Sequence, residues 1–294
     1  MTDTAKKKRI VIVTDSIAQV PSDMVKELDI RVSPLVFTVE GETFTDCGDF
    51  EPQRLYRRMR VEKDLQITTA SPSIEQFKMI FSQALIEGAA CVLYVGLSSR
   101  LSSTFGIAEV AMQMVREEFP DRQAECFDTR LATIAQGFLV IKAARMAARG
   151  AQLSEILACL RQERRNVGLV ASLETLEYLA RGGRISNASY LMGSMINILP
   201  VLTLTEDGKV VKVGLVRSPK TAFQKMVDYV AERVEKDRAL TLAVMHADIL
   251  EWADQLKEMA ERQLHPEHMI VTSFTPVMAV HTGPGLIGLA YYWH

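Results

Sequence analysis

The sequence predicts an α/β fold of two α/β domains, the first built on a doubly wound parallel sheet and the second on a mixed sheet. Three features carry that prediction. Strand-like and helix-like segments alternate between residues 10 and 148, the order that builds a parallel sheet with crossover helices. Ala-Ala-Cys-Val-Leu-Tyr-Val at 89–95 is an unbroken apolar run, as a strand covered on both faces requires. After Gly150 the pattern changes, and two apolar segments at 201–205 and 210–216 flank Glu206-Asp207-Gly208-Lys209. The Asp-Gly pair marks a β-hairpin, and therefore an antiparallel component.

Taken in order, a β-rich run at 10–13 ends in Thr14-Asp15-Ser16, and a helix over 22–28 leads to a second apolar segment at 31–39. Residues 51–60 read as a helix with a basic face, and Thr68-Thr69-Ala70-Ser71-Pro72-Ser73 as a polar loop. Ser73 with Gln76 makes a capping box for a helix ending near residue 87. The strand at 90–96 precedes a serine-rich loop and a helix over 103–118; a strand-like piece at 125–127 ends in Asp128-Thr129 before a helix over 135–148. Next come a helix at 153–164, a strand at 167–172 and a helical stretch ending in Arg181-Gly182-Gly183-Arg184. Beyond the hairpin, Ser218-Pro219 opens an amphipathic helix reaching 235. A strand at 240–245, a helix at 249–263 and strands at 269–273 and 286–293 complete the chain. These segments divide into domains at 1–160 and 161–294, with residues 280–294 packing at the interface.

Charge excludes one class of partner. Thirty-four basic against thirty-six acidic residues leave a net charge of −2, which gives no general attraction for nucleic acid. The one basic run, Lys6-Lys7-Lys8-Arg9, reads as a solubilising tail. Cys47, Cys91, Cys126 and Cys159 are scattered without a CxxC pair, so neither a disulfide framework nor a zinc site is expected, and a reducing cytoplasm is the expected location. Residues 185–205 and 269–294 contain no Asp, Glu, Lys or Arg, yet both are broken by Ser, Thr, Gly and Pro, and the first also by Asn. They read as buried walls around something apolar, not as segments inserted in a membrane.

Polar chemistry gathers at strand ends. The stretch 96–106 sets Ser98, Ser99, Ser102, Ser103 and Thr104 after a buried strand, at the edge where open α/β sheets bind ligands. Thr14, Asp15, Ser16, Thr68, Thr69, Asp128 and Thr129 end or follow neighbouring strands, so all of these are expected to converge on one crevice suited to an anion. His281 stands in a charge-free segment beside Gly283 and Gly285, where backbone can approach closely. A neutral imidazole there donates to a carboxylate, and a protonated one pairs with it.

Gly283-Pro-Gly285-Leu-Ile-Gly288 satisfies GxGxxG, but six residues follow it and none is acidic, so it reads as a turn into a terminal strand and not as a dinucleotide site. GxSxG, HExxH, an EF-hand loop and Walker A are all absent. Three functions fit these residues: a binding protein that does no chemistry, an acyl hydrolase using Ser98 or Ser99 as nucleophile, and a small-anion sensor. None of them calls for a cofactor.

Six motifs in order, Thr14-Asp15-Ser16, residues 68–73, residues 98–104, Asp128-Thr129, residues 176–185 and His281-Thr-Gly-Pro-Gly285, resemble the DegV family over nearly the full length. Its members are bacterial fatty-acid-binding proteins that serve as acyl carriers for a fatty acid kinase. The resemblance implies a long-chain fatty acid between the two domains, with its carboxylate on Thr69, on Ser98 or Ser99, and on His281. It further implies a separate ATP-dependent kinase as partner, docking at arginines such as Arg184 or Arg217. Two motifs depart from the family pattern: Leu-Ser-Gly-Thr-Tyr-Gln appears as Leu-Ser102-Ser103-Thr104-Phe105-Gly106, and Thr-Ser-Gln-Pro-Ser as Thr69-Ala70-Ser71-Pro72-Ser73.

Overall fold

The computed structural model describes residues 9–294 apart from 47, 49, 63, 186–197 and 236. Cys47, most of the basic run at 6–9 and the centre of the charge-free segment at 185–205 lie outside the described residues.

Strands β1 (Ile10–Asp15), β2 (Arg31–Ser33), β6 (Cys91–Gly96) and β7 (Gln123–Asp128) form an all-parallel sheet in the order β2-β1-β6-β7. The chain winds one way from β1 to β2 and the other way through β6 and β7, which leaves a crevice beyond the carboxyl ends of β1 and β6. Alternation along the strands loads both faces. Val11, Val13, Val92 and Tyr94 cluster with the helices Ile74–Ile86 and Thr104–Glu118, whereas Ile12, Leu93 and Val95 cluster with the helix Thr133–Ala148.

A small antiparallel sheet, β4-β3-β5, joins β3 (Val36–Val39), β4 (Glu42–Thr45) and β5 (Ile67–Ala70). It holds two corrections to the sequence reading. The single segment expected at 31–39 is broken around Pro34, which lacks the N–H a ladder needs, so β2 and β3 belong to different sheets. Thr68 and Thr69 are strand residues of β5, paired with Thr38 and Phe37, and not part of a loop.

The second large sheet is mixed, in the order β10-β9-β8-β13-β11-β12. Its strands are β8 (Val167–Ser172), β9 (Leu199–Leu204), β10 (Val210–Val216), β11 (Leu240–His246), β12 (His268–Ser273) and β13 (Ile287–Trp293). Only β11 and β12 run parallel. One face, with Val170, Leu242, Val244 and Leu289, is covered by the helices Pro219–Ala231 and Leu250–Leu264. The opposite face, with Ala171, Leu202, Ala243, Met245 and Tyr292, belongs to the same cluster as the helix Thr133–Ala148. That helix lies between the two large sheets and is buried without interruption from Thr133 through Ile141. Gly137 passes the Ala18 carbonyl so closely that a Cβ would overlap it, and Phe138 meets Tyr292 with ring centroids 6.2 Å apart. Among the described residues no helix is long and apolar enough to cross a membrane.

Candidate ligand cavity

A cavity of about 510 Å³ opens against both large sheets. Ile17, Leu97 and Leu101 reach it from the loops after β1 and β6, and Leu169, Ala171, Leu202 and Met245 line it from the mixed sheet. Its polar lining includes Thr69, Ser71, Ser102, Ser103, Arg184 and His281. An apolar body with a few hydrogen-bonding groups is the composition of a small-molecule site.

His281 is carried by the helix Pro276–Thr282, which the sequence reading did not anticipate although Thr275-Pro276 is a helix-start signal. The buried Asp46 fixes its first turn: Oδ1 accepts the Val277 N–H at 3.2 Å. The helix stops at Gly283, whose φ of +75° suits glycine. On the facing strand β5, Thr68 is exposed while Thr69 turns inward, as strand alternation dictates. Thr69 Oγ1 lies 2.9 Å from His281 Nε2. Burial, reinforced by the nearby Arg184 cation, lowers the imidazole pKa to about 4, so His281 is neutral at ordinary pH. Arg184 donates from Nε to the Leu101 carbonyl at 3.3 Å and also bonds the Gly182 carbonyl. It lines the cavity, whereas Arg217 is exposed in the turn after β10.

The serine loop is arranged differently from expectation. Ser98 is fully buried and turns away from the cavity, donating to the Gly208 carbonyl at 3.1 Å across to the β9–β10 hairpin. Ser99 is exposed and donates to Asp128 Oδ2 at 2.7 Å. Neither hydroxyl lines the cavity or bonds a histidine. One turn later Ser102 and Ser103 do line it, within a hydroxyl chain in which Ser102 lies 2.9 Å from Thr104, Thr104 donates to Ser71 at 2.8 Å, and Ser71 lies 3.3 Å from Ser103. Ser103 stands at the N-cap position of the helix Thr104–Glu118 but makes no side-chain capping bond, so its hydroxyl is left to the lining.

The ends of β1 and β7 both turn onto the end of β6 between them and not onto the cavity. Thr14 donates to the Val95 carbonyl at 2.8 Å and Thr129 to the Gly96 carbonyl at 2.7 Å. Ser16 accepts the Leu35 N–H. Asp15, fully enclosed, accepts from Ile17 N–H, Leu97 N–H at 3.0 Å, Tyr94 O–H at 2.7 Å and Gln136 Nε2 at 3.1 Å. Burial pushes its carboxyl pKa up against those donors. Gly283 and Gly285 make room for Tyr178 and Glu174 respectively, where a Cβ would overlap either side chain. Thr133 lines the cavity without having been singled out by the sequence: it holds φ of +59°, costly for a β-branched residue, and donates to Met245 Sδ at 3.1 Å.

The Ser98–Gly208 contact yields a stability prediction. Gly208 has φ of +83°, and a Cβ there would overlap Ser98 Oγ. Gly208→Ala is therefore expected to cost about 1–3 kcal/mol in denaturant unfolding, with Gly208→Ala/Ser98→Ala recovering part of that loss.

A sequence model described as "Uncharacterised protein, DegV family" matches residues 9–294. A DegV domain-containing protein from Clostridium acetobutylicum is 31% identical over 283 residues, covering 96% of this chain and 97% of that protein. A DegV family protein from Thermus thermophilus described for fatty acid binding superposes with a TM-score of 0.89 at 33% identity, over 97% of this chain and 100% of that one. DegV from Bacillus subtilis, described as a fatty acid binding protein, superposes with a TM-score of 0.85 at 26% identity, over 98% and 100% of the two chains. With a family match spanning almost every residue and the same architecture in these relatives, this chain belongs to the DegV family.

Proposed function

We propose that this protein is a carrier for a long-chain fatty acid and performs no catalysis by itself. The tail lies along the apolar body of the cavity, and the carboxylate sits at Thr69 and His281 with Ser102 and Ser103 beside it. The observation that carries the reading is the position of the Thr69–His281 pair, 2.9 Å apart, on the wall of an otherwise largely apolar cavity of about 510 Å³. Neutral donors suit a buried carboxylate: they offset its desolvation without requiring a second buried charge. Fatty acid binding by the Thermus thermophilus and Bacillus subtilis relatives supports the same ligand class.

In this reading residues 1–160 and 161–294 act as two domains that hold the ligand between them, in the cytoplasm and with no cofactor. A separate kinase would transfer the γ-phosphoryl group of ATP to the carboxylate, giving acyl phosphate and ADP. Arg217, exposed in the turn after β10, is available to such a partner, whereas Arg184 beside His281 is better placed to face the head group.

Native mass spectrometry of the purified protein tests the carrier reading, and a series of saturated fatty acids tests its physics. Each buried methylene contributes about 0.8 kcal/mol, so affinity is expected to rise about fourfold per carbon until the cavity is full. Affinity that ignores chain length, or a protein that takes up neither palmitate nor oleate, would remove the proposal.

A further inference from the structure

A second cavity, of about 360 Å³, shares no lining residue with the first. It lies where the end of the helix Thr133–Ala148 meets the helix Leu153–Glu163 and the end of β13. Lys142, Arg145 and Arg149 line it. Spacings of three and four residues stack Lys142, Arg145 and Arg149 along one side of the helix. From residue 131 to 154 the sequence has three basic residues, these same three, and not one Asp or Glu, in a chain whose net charge is −2. Positive charge is therefore concentrated locally, against the average of the molecule.

A basic helix end has an ordinary explanation, since cations near a C-terminus are favoured by the helix dipole. Three observations go further. Arg145 and Arg149 are exposed and have no acidic partner among the described residues. No Asp or Glu lines the cavity. Glu163, which lies 4.0 Å from Lys142 Nζ, already accepts from Tyr292 O–H at 3.1 Å and Asn166 Nδ2 at 3.2 Å. The remaining walls are apolar and aromatic: Met146, the Cys159 thiol, and the rings of Tyr292 and His294 with centroids 4.9 Å apart. Cations on one side and aromatic rings on the other fit a phosphate joined to a planar group.

We propose that this second cavity binds a small aromatic organic phosphate of nucleoside monophosphate size, with Arg145 and Arg149 on the phosphate and the Tyr292–His294 rings against the planar group. Arginine suits the role because its guanidinium fork pairs with two phosphate oxygens at once. The concave shape favours a free small molecule over the headgroups of a flat lipid surface, and the site stands whether or not the first cavity carries a fatty acid.

The test uses the full chain and AMP as probe, titrated calorimetrically, with inorganic phosphate and vesicles of phosphatidylglycerol in parallel. Saturable one-to-one AMP binding is expected, weakened about tenfold or more in Arg145→Gln/Arg149→Gln, whose exposed side chains leave folding and fatty acid content unchanged. His294→Ala is expected to weaken AMP several-fold and leave inorganic phosphate unaffected, as loss of a stacking surface would. Equal AMP affinity in wild type and the double variant would overturn the proposal, as would the absence of saturation at about millimolar AMP. Inorganic phosphate binding as tightly as AMP would overturn the aromatic half. Vesicle binding without AMP binding would reassign the arginines to a lipid surface.

Discussion

Replacing Asp15 with alanine is expected to lower unfolding stability by about 3–5 kcal/mol. Asp15 is fully enclosed and collects four donors from four segments: Ile17, Leu97, Tyr94 and Gln136. Alanine strands two of them, the Leu97 N–H and the Tyr94 hydroxyl, whereas the Gln136 amide keeps Thr14 Oγ1 at 3.2 Å as an acceptor. Each buried donor left unpaired costs about 1–3 kcal/mol, partly relieved where water can enter. Asp15→Asn keeps the shape and one acceptor oxygen, and burial already raises the carboxyl pKa, so asparagine is expected to cost clearly less. Urea unfolding of the two variants separates the cases. Equal losses would mean that side-chain volume matters and the hydrogen-bond network does not. Because Leu97 begins the loop that leads to Ser102 and Ser103, the alanine variant is also expected to disorder that wall of the cavity.

The second large effect concerns ligand retention. His281→Ala is expected to weaken fatty acid binding about 10- to 100-fold, the equivalent of leaving one buried charged group short of a partner, while the fold survives. Its pH behaviour has a definite sign. The folded-state pKa of about 4 lies below the ordinary 6.5, so the unfolded chain binds the extra proton first as pH falls. The contribution of His281 is therefore intact above about 6.5 and is lost as pH drops from about 6.5 toward about 4. His281→Gln, which cannot titrate, is expected to flatten that part of the stability profile. An unaltered profile would place the acid sensitivity elsewhere, and unaltered ligand content in His281→Ala would remove the histidine from the head-group site.

Sequence patterning disclosed the α/β class because period-two alternation and capping boxes are local signals. Val92 and Tyr94 on one face, with Leu93 and Val95 on the other, produce the continuous apolar run that marks a doubly covered strand. Ser73 and Gln76 make the capping box where the sequence places it. The pairing partner of a segment is not local information. Nothing in Thr68-Thr69 announces that β3 lies alongside, and only that pairing turns Thr69 toward His281, 212 residues later. The serine loop shows the same limit. Five hydroxyls after a buried strand announce a polar site, but which ones face the ligand depends on where the chain turns. Ser98 is claimed by the β9–β10 hairpin and Ser99 by Asp128, so the lining falls to Ser102 and Ser103. The strand-end residues Thr14, Asp15 and Thr129 have the chemistry of ligand groups, yet their short side chains find neighbouring protein groups first.

The place of β13 has a consequence for how the protein is made. β13 comes latest in the chain of the six strands in its sheet, yet it occupies an interior position, bonded to β8 on one side and β11 on the other. During synthesis the parallel sheet has all its strands once Asp128 is out, while β8 and β11 wait with open edges until residues 287–293 emerge from the ribosome. Such unpaired edges invite wrong partners. The helix bearing His281 immediately precedes β13, so the nascent chain acquires that histidine and closes the open edges of β8 and β11 within the same short interval of synthesis.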